Sequence, residues 1–145
     1  MSSAALLCLV IAVGDGDTLT VRCGARRPER VRVVAIDAPE LRQAWGRQAR
    51  QNLVRLCFRQ RAEVYSLARD AYGRRLAQVR CAGKDVAQAQ AGAGLAWVYT
   101  RQPAQYGDLA ALQQRAQAAR LGLWSQARPM APWEYRRRYP AKPRN

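Results

Sequence analysis

The feature that most constrains the fold is a hairpin signal at residues 14–17, Gly-Asp-Gly-Asp. It lies between two apolar segments rich in β-branched residues, 7–13 and 18–23. Asp-Gly is a strong signal for a two-residue turn between antiparallel strands. With this Asp-Gly as the turn, outward pairing places Cys8 opposite Cys23, at a hydrogen-bonded position of the ladder. The chain is therefore expected to contain a β-hairpin near its start.

Further strands and a helix follow the hairpin. A third strand is predicted to end at Asp37, because Pro39 donates no ladder bond and keeps the residue before it out of helical geometry. Apolar residues at helical spacing predict a first helix after that strand. The predicted segments are strand 31–36, helix 45–58, strand 62–67 and strand 75–81.

The second half of the chain is predicted to be mainly helical. Asp85 can cap a short helix through residue 91, and a longer helix spans 107–120 before Gly122 ends it. The order of elements predicts a mainly β or α+β fold, a five-stranded OB-fold barrel with three flanking helices. A split α+β sheet would give a similar string of elements.

Length and charge limit how many domains the chain can form and what kind of partner it can bind. The 145 residues, 49% of them hydrophobic, suffice for one packed domain. We predict a domain over 1–127 and a basic Pro- and Arg-rich tail over 128–145, either wrapped or loose. The formal charge of +15 favours a polyanionic partner such as nucleic acid, although some proteins are merely basic. No apolar run reaches the roughly 20 residues of a membrane-spanning helix.

Cysteine usage bears on compartment. Cys8, Cys23, Cys57 and Cys81 show no CxxC spacing and the chain has no His, so a zinc site is not expected. We favour two disulfides, Cys8–Cys23 and Cys57–Cys81, over four buried thiols. Disulfides favour an exported protein, periplasmic or secreted, with the cytoplasm as the alternative. Residues 4–13 lack a basic n-region and a small-residue cleavage site, which predicts a strand rather than a signal peptide.

Acidic and basic residues gather at predicted strand ends. Asp17 follows the hairpin turn, and Asp37 and Glu40 follow the third strand. Such carboxylates are the oxygen ligands that calcium or magnesium requires. Arg32 and Arg74 could supply the positive charge that phosphoryl transfer needs. Each also has an ordinary interpretation: a hairpin residue for Asp17, a solvated acid for Glu40, and ion-pairing strand residues for the arginines.

Several short motifs occur along the chain in a fixed order. They are DGDT at 15–18, Arg32 five residues ahead of DAPE at 37–40, DAYGR at 70–74, GLAWVY at 94–99 and GLW at 122–124. Each motif alone is weak, but together, in this order and spacing, they are specific. The chain resembles the staphylococcal nuclease (thermonuclease) family over nearly its whole length.

The resemblance implies an activity and a metal site. It implies an OB-fold endonuclease that uses calcium and hydrolyses phosphodiester bonds of DNA and RNA, leaving 3′-phosphate ends. Asp17, Asp37 and the backbone carbonyl of Ala38 would bind the metal. Relatives often carry Thr where this chain has Ala38, which leaves a carbonyl ligand in place.

The same resemblance implies catalytic and substrate-binding residues. Glu40 would act as the base for the attacking water, or would orient that water. Arg32 and Arg74 would be catalytic contacts to the phosphate. Tyr72 would contact the substrate by stacking or by bonding phosphate, unless it is a packed turn tyrosine. Ala71 stands where relatives can carry a basic phosphate contact, so that contact is in doubt.

The alternative function is a non-catalytic OB-fold module that binds nucleic acid. Its mark would be the loss of Asp17, Asp37, Glu40 or either arginine, and the chain retains them all. We expect DNA and RNA as substrates, no membrane or protein partner, and a monomer. A cationic membrane-active protein would need a basic amphipathic helix, whereas the last predicted helix is mainly Ala and Gln.

Overall fold

A computed structural model describes residues 4–101 and 103–141, apart from the side chains at positions 103 and 104. Its strands are β1 (Leu6–Asp15), β2 (Thr18–Arg22), β3 (Glu29–Val33), β4 (Ile36–Asp37), β5 (Arg61–Arg69), β6 (Arg75–Cys81), β7 (Lys84–Asp85) and β8 (Trp97–Val98). Its α-helices are α1 (Gly46–Cys57), α2 (Val86–Gly92), α3 (Leu109–Ala118) and α4 (Pro132–Arg138). Two 3-10 turns, Pro103–Tyr106 and Gly122–Ser125, flank α3.

Five long strands close into a barrel. β1 pairs antiparallel with β2 and β5, β2 pairs with β3, and β5 pairs with β6. A parallel pairing between β3 and β6 closes the ring. This closure removes the free sheet edges and confirms the predicted OB-fold barrel. The short strands β4 and β8 form a separate two-stranded ribbon beside it.

The first hairpin turns one residue later than predicted. Asp15 pairs with Thr18, so the turn residues are Gly16 and Asp17 rather than Asp-Gly. Two register shifts in β1 restore the expected alignment at Leu9 and Arg22. The turn is set by packing: a Cβ on Gly16 would lie 2.6 Å from the Ala49 Cβ. The sequence signal located the hairpin correctly and its turn wrongly.

Both expected disulfides are present. Cys8–Cys23 joins β1 to the end of β2 with a Cα separation of 4.1 Å. That separation fits the narrower, non-hydrogen-bonded type of antiparallel pair. The predicted hydrogen-bonded position was therefore wrong. The two register shifts in β1 change which residue pairs along the ladder are hydrogen-bonded. Cys57–Cys81 joins the end of α1 to the end of β6. Together they tie the barrel and its first helix into one unit.

The predicted third strand is interrupted. β3 ends at Val33, and the chain turns through Ala35, which has φ +74°, before β4 begins at Ile36. The Arg32 side chain spans this turn, since its Nη1 donates to the carbonyls of Val33 at 2.7 Å and Ile36 at 2.8 Å. These bonds stabilise a left-handed conformation that an alanine rarely adopts. The break separates Asp37 from the barrel wall.

The helices cover the barrel and extend beyond it. α1 buries Ala49, Leu53 and Cys57, and Asp85 caps α2 by accepting from the Gln88 amide at 3.0 Å. Four α-helices are described instead of three, because α4 forms within the segment taken as a tail. Within the described residues, no helix is long and apolar enough to cross a membrane.

Candidate active site

Two buried aspartates lie on either side of one arginine at the mouth of the barrel. Asp17 ends the hairpin turn and Asp37 ends β4, and their residues are 4% and 2% exposed. Arg32 projects between them from β3. Its Nη1 lies 3.4 Å from Asp17 Oδ2, and its Nη2 lies 3.5 Å from Asp37 Oδ1. The structure thus brings Asp17 of the predicted hairpin together with Arg32 and Asp37, which the sequence placed within and at the end of the third strand.

Asp17 is held by short local bonds. Its Oδ2 accepts from the Ala38 amide at 2.7 Å, and its Oδ1 accepts from the Thr18 hydroxyl at 3.2 Å. Burial raises the pKa of the Asp17 carboxyl well above its ordinary value, and the Arg32 charge opposes this only in part. The positive charge of Arg32 therefore offsets only part of the cost of ionising Asp17 in this buried position.

Glu40 lies on a loop fixed by hydrogen bonds. Its amide donates to Gln43 Oε1 at 3.1 Å, and its carbonyl accepts from the Gln43 amide at 2.9 Å. A Cβ on Gly46 would collide with the Glu40 carbonyl, so glycine permits the start of α1 to pack against this loop. The Glu40 side chain stays one-third exposed. It is thus accessible beside the two buried aspartates.

Arg136 of α4 joins Glu40 to Asp37. Its Nη1 lies 2.7 Å from Glu40 Oε1 and 3.2 Å from Asp37 Oδ1, and its Nη2 lies 2.7 Å from Asp37 Oδ2. Hydrogen bonds from the guanidinium to Asp37 and then to Glu40 raise the pKa of Arg136 further above its ordinary range. Asp37 is consequently shared between two arginines. We call Asp17, Asp37 and Glu40 the acid cluster.

Arg74 and Tyr72 lie on the turn that precedes β6. Arg74 Nε donates to Asp70 Oδ2 at 2.7 Å, and its guanidinium carbon is 5.6 Å from the centre of the Tyr72 ring. Tyr72 is 78% exposed, which contradicts a packed turn tyrosine. In the described structure these two side chains contact their own turn and not the acid cluster. Both remain accessible to a ligand.

The acid cluster and the neighbouring backbone offer oxygen atoms, the type of ligand that a hard cation takes. Calcium takes carboxylate, carbonyl and water oxygens, and the buried carboxylates of Asp17 and Asp37 and the Ala38 backbone supply donors of these types. No three Cys, Asp or Glu side chains in residues 4–101 and 103–141 are grouped so as to hold a metal by themselves. Backbone and water oxygens would therefore have to complete the coordination. Ion pairs to Arg32 and Arg136 occupy part of the carboxylate surface.

Two residues that position the site were missed from the sequence. Arg136 could have been suspected from its helix, which has Pro132 at the first position, Glu134 in the first turn and arginines in the last turn. Gln90 carried no such signal. It is fully buried, and its Nε2 donates to the carbonyls of Gly16 at 2.7 Å and Ala49 at 2.9 Å. It thereby holds the turn that carries Asp17.

A closed OB-fold barrel with carboxylates and arginines at one lip defines a class of domain suited to phosphate chemistry. Comparison with known proteins makes the assignment specific. Residues 30–126 match the family model described as staphylococcal nuclease homologue. The chain belongs to the staphylococcal nuclease family, which confirms the resemblance inferred from its motifs.

Three bacterial relatives match this chain over most of their length. The chain is 41% identical over 133 residues to a protein named uncharacterized endonuclease from Escherichia coli O157:H7, covering 89% of this chain and 84% of that protein. It is 38% identical over 138 residues to protein ParB of Escherichia coli, covering 88% and 77%. A micrococcal nuclease of Shigella flexneri is 35% identical over 139 residues, covering 88% and 79%. Family and relatives together indicate a hydrolytic nuclease.

Proposed function

We propose that the chain is a calcium-dependent endonuclease that hydrolyses phosphodiester bonds of DNA and RNA and leaves 3′-phosphate ends. The observation that carries the proposal is the pair of buried aspartates, Asp17 and Asp37, on either side of Arg32. Burying two carboxylates is costly, and because Arg32 offsets this cost only in part at Asp17, a bound metal cation would stabilise the pair further. The family supplies the reaction class in which such a cation acts.

The cation would be held by Asp17, Asp37 and the Ala38 carbonyl, with water completing the coordination. Calcium suits this set because it accepts mixed carboxylate, carbonyl and water ligands in flexible geometry. When bound, calcium supplies positive charge that stabilises the phosphate oxygens and makes a nearby water more acidic. The Ala38 amide already fixes one Asp17 oxygen, which leaves the other turned toward Thr18.

Glu40 would act on the attacking water. As a base it takes one proton from the water while the water oxygen forms a bond to phosphorus. The bond from phosphorus to the 5′ oxygen breaks, and that oxygen takes a proton from solvent, which leaves the phosphate on the 3′ side. An orienting role, in which Glu40 only accepts a hydrogen bond from the water, fits the same position.

Arg32 and Arg74 would bind the non-bridging oxygens of the phosphate. Negative charge redistributes over these oxygens in the transition state, and a guanidinium can donate two parallel hydrogen bonds to them. Arg32 is already aimed at the acid cluster by its bonds to Val33 and Ile36. Arg74 would approach from its own turn, and Tyr72 beside it would contact the substrate. The basic surface as a whole would attract the polymer.

The experiment is digestion of plasmid DNA and of RNA with calcium or with a chelator, followed by analysis of the new ends. The proposal expects cleavage of both polymers with calcium, none with chelator, and phosphate on the 3′ ends. Binding without cleavage under all metal conditions would instead support the non-catalytic module. Calcium-independent cleavage would overturn the metal assignment.

We propose export to an oxidising compartment, supported by the two disulfides. Acid quenching of intact cells, followed by alkylation of thiols in denaturant and mass analysis of the isolated protein, tests this, because denaturant exposes the buried cysteines. No alkylated cysteine is expected. Four alkylated cysteines would support the cytoplasm.

A further inference from the structure

Arg136 uses only part of its hydrogen-bonding capacity on the acid cluster. A guanidinium carries one N–H group on Nε and two on each Nη atom. Nη1 donates to Glu40 Oε1 at 2.7 Å and to Asp37 Oδ1 at 3.2 Å, and Nη2 donates to Asp37 Oδ2 at 2.7 Å. The Nε N–H and the second N–H of Nη2 make no hydrogen bond to the described residues. Two N–H groups of Arg136 are therefore available to a ligand.

The two available N–H groups lie along one edge of the guanidinium plane. Nη1 and Nη2 together face the two Asp37 oxygens, so the remaining N–H of Nη2 points to the same side as the Nε N–H. Two parallel N–H groups match two oxygens of a phosphate, the bidentate arrangement in which arginine binds phosphate well. The Arg136 side chain is 46% exposed, which gives a ligand access to it. Arg136 can therefore contact a phosphate while it keeps its bonds to both acids.

The start of α4 is also fixed beside the acid cluster. The carbonyl of Met130, two residues before α4, accepts from Gln43 Nε2 at 2.6 Å. Oε1 of the same Gln43 accepts from the Glu40 amide at 3.1 Å, so one glutamine links the Glu40 loop to α4. Pro132, the first residue of the helix, is buried. Arg136 is thus held in place before a ligand binds, and a preorganised donor stabilises charge in a transition state without reorganising.

Two guanidinium groups contact the acid cluster among the described residues, that of Arg32 from β3 and that of Arg136 from α4. Arg74, by contrast, is bonded to Asp70 on its own turn. Positive charge is useful at the cluster because the transition state of phosphoryl transfer spreads negative charge over the non-bridging oxygens. Arg136 is therefore better placed than its position in the sequence suggested to take part in the chemistry.

We propose that Arg136 is a further catalytic residue, whose Nε and Nη2 donate to the non-bridging oxygens of the phosphate that is cleaved. The inference rests on the proposed function, because it needs a phosphodiester at the acid cluster. Since the charge on these oxygens is redistributed in the transition state, the contact raises the rate of hydrolysis more than the affinity for substrate. α4 lies outside residues 30–126, the part that matches the family model.

Single-turnover hydrolysis of a short DNA strand with one cleavable linkage, at saturating calcium, tests the contact. The variants are Arg136→Gln and Arg136→Lys. Arg137→Gln is the matched control, because Arg137 is exposed on the same turn of α4 and makes no hydrogen bond or ion pair with the described residues. In two further substrates, sulfur replaces one or the other non-bridging oxygen, since sulfur accepts hydrogen bonds more weakly. Calcium binding of each variant is measured by calorimetry.

Arg136→Gln should lower the rate at saturating substrate about 10²- to 10³-fold, the loss seen when one preorganised donor is removed. The substrate concentration that gives half the maximal rate should change by less than about threefold. Arg136→Lys should lose less, because it keeps the charge without the planar fork, and Arg137→Gln should keep the parent rate. One of the two sulfur substitutions should slow Arg136→Gln by a smaller factor than it slows the parent protein and Arg137→Gln.

Hydrolysis by Arg136→Gln at the parent rate would overturn the inference and leave the proposed function in place. Equal sulfur effects in the parent and Arg136→Gln proteins, at both oxygens, would also overturn it, because a residue that only positions Glu40 slows all substrates alike. Slower hydrolysis together with weaker calcium binding would show damage to the metal site, which again overturns the inference. A parent protein that cut nothing with calcium would overturn the proposed function and the inference together.

Discussion

Arg136 and Asp37, 99 residues apart in the chain, are joined by two hydrogen bonds. The shorter runs 2.7 Å from Nη2 to Oδ2, and Nη1 also reaches Glu40. The guanidinium therefore lies where a cation bound to Asp37 would feel its repulsion. α4 thereby balances charge at Asp37 and Glu40 but makes no ion pair with Asp17 among the described residues.

Removal of Arg136 is expected to strengthen calcium binding. Arg136→Gln should lower the calcium Kd about 3- to 10-fold in titration calorimetry, because a positive charge next to the ligands is lost. Arg137→Gln removes the same charge one residue away and should change Kd by less than about twofold. An equal change in both variants would show a general charge effect and contradict a specific contact.

Removal of the Asp17 charge is expected to stabilise the calcium-free protein at neutral pH. Burial raises the pKa of Asp17, so the folded protein holds this proton more tightly than the unfolded chain. The stabilisation that the folded protein gains from protonated Asp17 is fully present below the ordinary pKa of 3.8. It is lost as pH rises through the raised pKa of the folded protein. Asp17→Asn should therefore raise Tm by a few degrees, where 1 kcal/mol is worth about 3–6 °C.

Two internal controls accompany this measurement. In acid below the ordinary aspartate range, the parent and Asp17→Asn proteins should have similar Tm values, because Asp17 is then protonated. Added calcium should raise Tm for the parent protein and not for the variant. An Asp17→Asn protein that is less stable than the parent at neutral pH without calcium would contradict the account.

Gln90 is expected to couple fold stability to calcium affinity. Gln90→Leu leaves the buried carbonyl of Gly16 without its donor, which should cost about 1–3 kcal/mol in urea unfolding. Gly16 and Asp17 form the same turn. Loss of the Gln90 bond should therefore displace the Asp17 carboxylate and weaken calcium binding. Gln88→Leu, a change two residues away on the same helix but half-buried, is the matched control. Unchanged calcium binding in folded Gln90→Leu would contradict the coupling.

Each disulfide is expected to contribute similarly to stability. The closed segments span 15 and 24 positions, so chain-entropy arguments give about 3 kcal/mol for each. Paired Cys→Ala exchange at Cys8 and Cys23, or at Cys57 and Cys81, should show this loss in urea unfolding. Because all four cysteines are buried, the loss of their sulfur atoms adds a packing cost to the loss of the bond. A loss below about 1 kcal/mol for either pair would contradict the entropic account.

Sequence signals that act over a few residues predicted the strands of the barrel. Asp-Gly and the flanking β-branched segments specify a hairpin, and Pro39 ends an extended segment, wherever they occur. Details that depend on distant neighbours were not predictable. The turn is displaced by the approach of Gly16 to Ala49, and β3 is broken at Ala35 by bonds from Arg32.

In the candidate site, too, residues in local motifs were predictable and residues brought in from a distance were not. Asp17, Arg32 and Asp37 could be chosen from motif spacing, and the structure brings them together. Arg136 could not be placed there, because no short-range pattern specifies a contact across 99 residues. Its helix, however, has start and end signals that a closer reading of the tail would use.

The most direct test of the central claim is the single-turnover rate of DNA hydrolysis with saturating calcium for Glu40→Gln. The account predicts a fall of about 10²- to 10⁴-fold, the range for loss of a general base, with DNA binding in chelator retained. Glu63→Gln on β5, where the Glu63 carboxylate accepts a hydrogen bond from the Tyr65 hydroxyl, should keep the parent rate. Hydrolysis by Glu40→Gln at the parent rate would contradict the claim.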